Sequence, residues 1–318
     1  MRVRFWGTRG SIPVGLTAAD IRDKLAQALL AASGQRFASY GDAHAFAERE
    51  LPFSLGHTYG GHSSCVELET GHEEYFVCDM GSGARAFGAH VLARQGGRPA
   101  TINVFMSHVH WDHIMGFPFF GPAYVPRTRI RVYGCHDILE QAFRLQQAPP
   151  CFPVAFDQLG AAIEFVKLAP GQTREVSGLS VTPLLQRHSG DSFGFRFAFR
   201  GKSVVYSTDS EHKLEERAET ERFVAFFRDA DLVIFDAMYS LADAISVKAD
   251  WGHSSNVIGV ELCQMARARH LVLFHHEPAN NDTAIEGLLR DARRLEELTR
   301  GAQQLQISAA HDGLEIEL

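Results

Sequence analysis

Four metal-ligand side chains fall within six positions in His108-Val109-His110-Trp111-Asp112-His113, and this density constrains the 318-residue chain more than any other feature. The apolar run Ile102 to Met106 comes before it and a Gly/Pro-rich segment after it. The four side chains are therefore expected on the loop leaving a buried strand, which projects groups without dismantling a core. His108 and His110 point the same way from an extended backbone, whereas Asp112 and His113, past the strand, can turn toward a second point. One segment could serve two adjacent cations. Three imidazoles with a carboxylate suit zinc, with manganese or iron as competitors, and do not suit an all-oxygen magnesium or calcium site. The plainer reading is a solvated, histidine-rich loop, and the strand-to-loop context argues against it.

A cation pair needs further ligands from other strand ends, and three candidates stand there. His188 follows the run Leu179 to Leu185, Asp209 follows Ser203 to Tyr206, and His275 follows Leu271 to Phe274. His276 adjoins His275, and the sequence leaves open which of the two is the late ligand. Asp236 ends another apolar run and either holds a neighbouring loop or caps the strand. Arg9, His62 and His212 are weaker candidates for substrate contact.

The apolar periods fall into two β-rich blocks, each followed by helices, which suits an α/β (α+β) fold of two packed sheets with helices outside. A single domain over 1–318 is expected, with a helical insertion at about 15–55. In that insertion Thr17 and Asp20 form a capping-box pattern, and Ile21, Leu25, Ala28, Leu29 and Ala32 share one apolar face. A second helix is expected from Asp42 to about Glu50.

A formal net charge of -7 provides no global basic field, so long nucleic acid and anionic membrane are not the expected partners. Five scattered cysteines without a CxxC pair fit a reducing compartment. With no signal-like apolar N-terminus and no run near the ~18 apolar residues of a membrane span, a cytoplasmic protein is expected.

His-x-His-x-Asp-His at 108–113 resembles the signature of the metallo-β-lactamase superfamily, and Asp79, His188, Asp209 and His275 match its other motifs in order. The resemblance implies a four-layer αβ/βα sandwich with two divalent metal ions. It assigns His108, His110 and His188 to one metal, Asp112, His113 and His275 to the other, and Asp209 to both, with Asp79 behind the ligands. The segments Phe5 to Pro13 and Tyr59 to Cys65 look like those of the phosphodiesterase branch, which includes ribonuclease Z, phosphoribosyl cyclic phosphodiesterase and cyclic-nucleotide phosphodiesterases. His62 departs from the Asn common there.

His253, in Trp251-Gly252-His253-Ser254-Ser255, resembles the branch's histidine that faces the scissile phosphate, although Ser254 or Ser255 could simply cap the next helix. Asp236 could then hold His253. The expected activity is metal-dependent hydrolysis of a small or cyclic phosphodiester by a metal-bridging hydroxide, with Asp112 and His253 catalytic. His188 and Asp209 lie only 21 positions apart, too close for the substrate-gripping arm of ribonuclease Z. The rivals are a ribonuclease Z-like nuclease, a carbonyl-ester, thioester or lactone hydrolase on the same fold, and a non-catalytic metal-binding sensor. A homodimer is compatible with all of them.

Overall fold

The computed structural model describes residues 1–246 and 248–318. The first sheet holds β1 (Arg2–Gly7), β2 (Cys65–Glu69), β3 (Tyr75–Cys78), β4 (Thr101–Phe105), β5 (Arg129–Gly134) and β6 (Ala162–Lys167). The second holds β7 (Arg174–Val176), β8 (Leu179–Gln186), β9 (Ser192–Phe199), β10 (Lys202–Ser207), β11 (Leu232–Asp236), β12 (His270–Phe274) and β13 (Gln306–Ala309). β14 (Glu315–Glu317) then returns to the first sheet beside β1, giving the orders β14-β1-β2-β3-β4-β5-β6 and β13-β12-β11-β10-β9-β8-β7.

Alternation along the strands builds the layers. In β11, Leu232 and Ile234 face the other sheet while Val233 and Phe235 face helices, and β12 repeats this with Val272 and Phe274 against Leu271 and Leu273. Both faces are apolar because both are covered, as expected for parallel strands between helices. Between the sheets, Phe105 stacks on Tyr133 at 5.1 Å and meets Phe197 edge-on at 5.1 Å. The helices Arg217–Phe227, Asn256–Met265 and Asp282–Thr299 cover the second sheet, with Phe223, Phe227, Val260, Leu262, Ile285 and Leu289 in that outer layer. On the first sheet, Phe87 and Val91 of the helix Ala84–Gln95 and Phe143 of Leu139–Gln146 do the same.

The parallel pairs β3–β4 and β10–β11–β12 bring several strand C-termini to one edge of the sandwich. Open sheets bind ligands beyond the carboxyl ends of their parallel strands. Asp79, the 107–113 loop, Asp209 and His275 all follow such ends.

The 15–55 segment forms the helices Ala18–Ala31 and Tyr40–Arg49, the first with the capping box of Thr17 and Asp20. Its apolar face stays uncovered: no residue of Ala18–Ala31 is buried, and Leu29 is 73% exposed. Lys24 ties it down, reaching the Asp282 carboxylate and the His57 carbonyl. Among the described residues, no helix is long and apolar enough to cross a membrane.

Two buried histidines give the fold an acid limit. His212 stacks on Phe235 at 5.3 Å, with Phe223 edge-on at 4.3 Å. Burial, then Arg222 and Arg187, push it down to about 3. Burial and then Arg293 push His270 down to about 4. The folded chain thus holds both rings neutral at pH values where the unfolded chain, titrating near ~6.5, binds protons. Stability is complete above that unfolded value and is lost as pH falls toward the folded ones, by about 1.4 kcal/mol per pH unit per ring. Thermal unfolding between pH 7.5 and 5.5 should show the loss, and His212→Phe, which keeps a ring without a titrating nitrogen, should reduce it. An identical decline in that variant would remove His212 from the account.

Candidate metal centre

Three of the converging residues are built with the same backbone device. Asp79 follows β3, Asp209 follows Thr208 beyond β10, and His275 follows β12, with φ of 58°, 47° and 60°. The left-handed region costs a non-glycine residue on the order of 1 kcal/mol and is tolerated best by Asn, Asp and His. The chain accepts that cost to turn these side chains over the sheet edge.

Asp209 sits at the centre and its two oxygens face different histidines. Oδ2 lies 3.7 Å from both His108 Nε2 and His188 Nε2. Oδ1 lies 3.1 Å from His113 Nε2 and 3.2 Å from His275 Nε2. On the first side His188 Nε2 is 3.1 Å from His110 Nδ1. On the second, Asp112 Oδ2 lies 3.2 Å from His113 Nε2 and 3.5 Å from His275 Nε2, and it accepts the Ser11 backbone N–H at 2.8 Å. His108, His110 and His188 form one group able to hold a cation, and Asp112, His113 and His275 another.

The donor set fits such ions. Nε2 of His108, His113 and His275 is buried without a hydrogen-bond partner. Three orphaned imidazole nitrogens around one carboxylate would be costly unless a cation completed them. Burial holds His108 well below its ordinary value, and burial also lowers His110 and His188, the neutral state a ligand needs. Burial works against charge on His113 too, but Asp209, Asp112 and Asp79 outweigh it and raise that ring.

Asp79 lies behind the cluster, fully buried. It accepts the Ser107 N–H at 2.8 Å, the Ser107 hydroxyl at 2.7 Å and the Tyr206 hydroxyl at 2.7 Å, and pairs with His113 Nδ1 at 2.7 Å. Holding Nδ1 fixes the tautomer and aims His113 Nε2 forward. Sequence reasoning missed Tyr206 and Ser107 in this role; the only signal was hydroxyls at the ends of apolar strands. His188 is aimed similarly, its Nδ1 donating to the Gly252 carbonyl at 2.9 Å.

His253 flanks both groups, its ring 5.0 Å from that of His188 and 5.1 Å from that of His275. Its Nδ1 pairs with Asp236 Oδ2 at 2.8 Å. Burial disfavours charge there, but Asp236 prevails and pushes the ring up to about 9. Asp236 also accepts the backbone N–H groups of Ser210 and Met238. Ser255, not Ser254, caps the following helix, accepting from Ile258. The open choice between the late histidines resolves: His276 is turned away, its Nε2 on the Ala310 carbonyl at 2.8 Å.

Two weaker candidates stand elsewhere. Arg9 is buried and its guanidinium serves the carbonyls of Gly60, Glu277 and Asn280, tying the N-terminal loop to the His275 loop. His212 is enclosed by aromatic rings, as described above. His62 is half-buried with its Nδ1 against Ser82 Oγ at 3.2 Å.

A family model described as a β-lactamase superfamily domain matches residues 75–276, from β3 through the late histidines. The chain belongs to the β-lactamase superfamily. Solved structures at low identity are similar to it in fold. The metallo-β-lactamase fold protein YhfI of Bacillus subtilis covers 100% of this chain and 98% of its own at a TM-score of 0.66 and 17% identity. A diphosphatase of the PhnP family covers 100% and 97% at 0.59 and 17%. The short form of human tRNase Z covers 100% and 99% at 0.59 and 17%. These likenesses establish the metallo-β-lactamase fold. In sequence, the uncharacterized protein Rv1339 of Mycobacterium tuberculosis is 26% identical over 217 residues, 66% of this chain and 73% of that protein.

Proposed function

We propose that this superfamily member hydrolyses small phosphodiesters with two divalent cations, zinc being favoured by the donor set. The observation that carries the reading is the division of Asp209 between two histidine groups, one oxygen to each. His108, His110 and His188 with Oδ2 would hold one ion, and Asp112, His113 and His275 with Oδ1 the other. A shared carboxylate offsets the repulsion of neighbouring cations. Bound there, such ions lower the pKa of a water and neutralise charge growing on phosphoryl oxygens.

The chain's own residues supply the rest. Asp112, fixed by the Ser11 N–H, is placed to accept a hydrogen bond from the attacking water. His253, held by Asp236 at the side of both groups, donates a proton to the departing oxygen. Asp79 keeps His113 in register from behind.

A small substrate fits better than a long polymer. Only the β9–β10 hairpin occupies the interval from His188 to Asp209, leaving no gripping arm, and the charge is acidic overall. The diphosphatase and tRNase Z likenesses agree with phosphorus chemistry without choosing a substrate. The test is a panel on zinc-loaded protein: bis-p-nitrophenyl phosphate, p-nitrophenyl acetate, a lactone, a β-lactam and a precursor tRNA. Saturable, chelator-sensitive release of p-nitrophenolate from the phosphodiester is expected. Cleavage of the carbonyl substrates alone would overturn the reading, and so would a fully loaded protein inert on every compound.

A further inference from the structure

A cavity of about 580 Å³ lies against the ligand loop, within the ~300–1,000 Å³ of small-molecule sites. Val109, Trp111, Met115, Phe119, Leu145 and Phe152 line most of it, and among the described residues no charged side chain does. Val109 and Trp111 line this cavity, while their chain neighbours His108, His110 and Asp112 belong to the ligand groups, so the loop stands between the two. Its ligand atoms face one side and its apolar atoms the other. The partition ends at a solvent-facing rim, where His110 is exposed and Trp111 is 66% exposed. Phe119, 61% exposed, meets Phe152 edge-on at 5.5 Å with the planes at 89°. Large aromatic side chains left open to water around a concavity mark a binding surface.

The geometry points to this cavity as the subsite for a flat, uncharged aromatic ester group of the substrate, seated across the ligand loop from the phosphate. The inference rests on the phosphodiesterase reading and adds the class of alcohol that the phosphate carries. Charge sorts the two halves of such a molecule. The anionic phosphoryl group belongs on the histidine side, and an anionic or cationic substituent would find no partner among the cavity walls. Indole and phenyl faces favour a ring over an alkyl chain, because stacking adds to the burial of area. A nucleobase and a phenol share this chemistry.

The experiment compares two diesters with the same leaving group, bis-p-nitrophenyl phosphate and methyl p-nitrophenyl phosphate, so that only the retained ester differs. Intrinsic reactivity cancels when the aryl-over-methyl ratio of kcat/KM in Phe119→Ala or Phe152→Ala is divided by that of the unaltered protein. The ratio should fall about tenfold, chiefly through KM, and Phe119→Tyr should restore it. Nucleoside 5′-p-nitrophenyl phosphates in the same series tell a base from a phenol as the preferred ring. Calorimetric titration with phenylphosphonate and methylphosphonate reads the same preference without turnover. Failure of the two ideas is thereby separable. Preference for phenylphosphonate that Phe119→Ala abolishes, in a protein that cleaves no diester, would keep the subsite and remove the reaction. An unchanged ratio in both alanine variants, with equal binding of the two phosphonates, would overturn the subsite. A cavity closed by a second copy of the chain would show as a preference that fades with rising protein concentration, and that too would overturn it.

Discussion

Asp209→Ala protein, purified and reloaded with zinc, should hold less than one ion per chain and lose at least about a thousandfold in phosphodiester turnover. The magnitude follows from position. Removing a residue that only supports a ligand already costs about 10–100-fold in metal affinity, and Asp209 faces both histidine groups with one oxygen to each. Without it, five imidazoles and the Asp112 carboxylate would have to hold two cations with no carboxylate shared between them. Asp209→Asn refines the test by keeping one acceptor oxygen and nearly the same volume. One ion should then remain, because an amide oxygen still offers a neutral ligand while its NH₂ end repels a cation. The left-handed backbone at this position suits Asn as well as Asp, so the variant carries no new strain. Elemental analysis and circular dichroism on the same samples separate loss of metal from loss of fold. Two retained ions with full turnover in the alanine variant would end the two-cation proposal.

Most of the convergence was legible because strand ends are legible. A buried strand reads as an apolar run, and an ionisable residue just beyond it has few reasons to be there. That logic picked out His188, Asp209, Asp236 and His275, the family resemblance added Asp79, and the structure gathers all five within one cluster. The choice between His275 and His276 was not legible, because it depends on which residue takes the left-handed turn; His275 does, at φ 60°. Tyr206 was hidden for a different reason. It reads as one more strand residue, and only the packing of the two sheets carries its hydroxyl to Asp79.

The two-sheet architecture was read from the two β-rich blocks, but several elements escaped. The helix Ala84–Gln95 buries Ala84, Phe87, Gly88 and Val91 on one face, but two of these four are Ala and Gly while Ala86, Ala89 and Leu92 lie off that face, so little apolar contrast marks it. β14 is a three-residue strand whose place depends on β1, which it meets through pairs such as Arg2 with Glu317, and no local pattern announces it. The insertion shows the reverse failure. Its apolar period is clear, yet local pattern says nothing of whether a neighbour exists to cover it, and among the described residues none buries it.

His253→Gln should keep its metal and lose about 10²–10⁴ of kcat, with the loss graded by leaving group. The grading is the diagnostic part. A p-nitrophenolate departs readily without a proton, whereas an alkoxide needs one in the transition state, so a missing proton donor should slow alkyl-ester cleavage far more than aryl-ester cleavage. A histidine that merely packed against His188 and His275 would depress both rates equally. Asp236→Asn extends the argument one residue back. An amide oxygen in the Oδ2 place can still accept the Ser210 N–H and meet His253 Nδ1, at the loss of the Met238 N–H bond on the other oxygen, but the negative charge that favours a protonated His253 is gone. An intermediate loss, with the same leaving-group slope and unchanged zinc content, is expected from this variant. Equal losses on alkyl and aryl diesters in His253→Gln would reduce the residue to a positioning role, and an unaltered kcat would leave protonation of the departing oxygen to solvent.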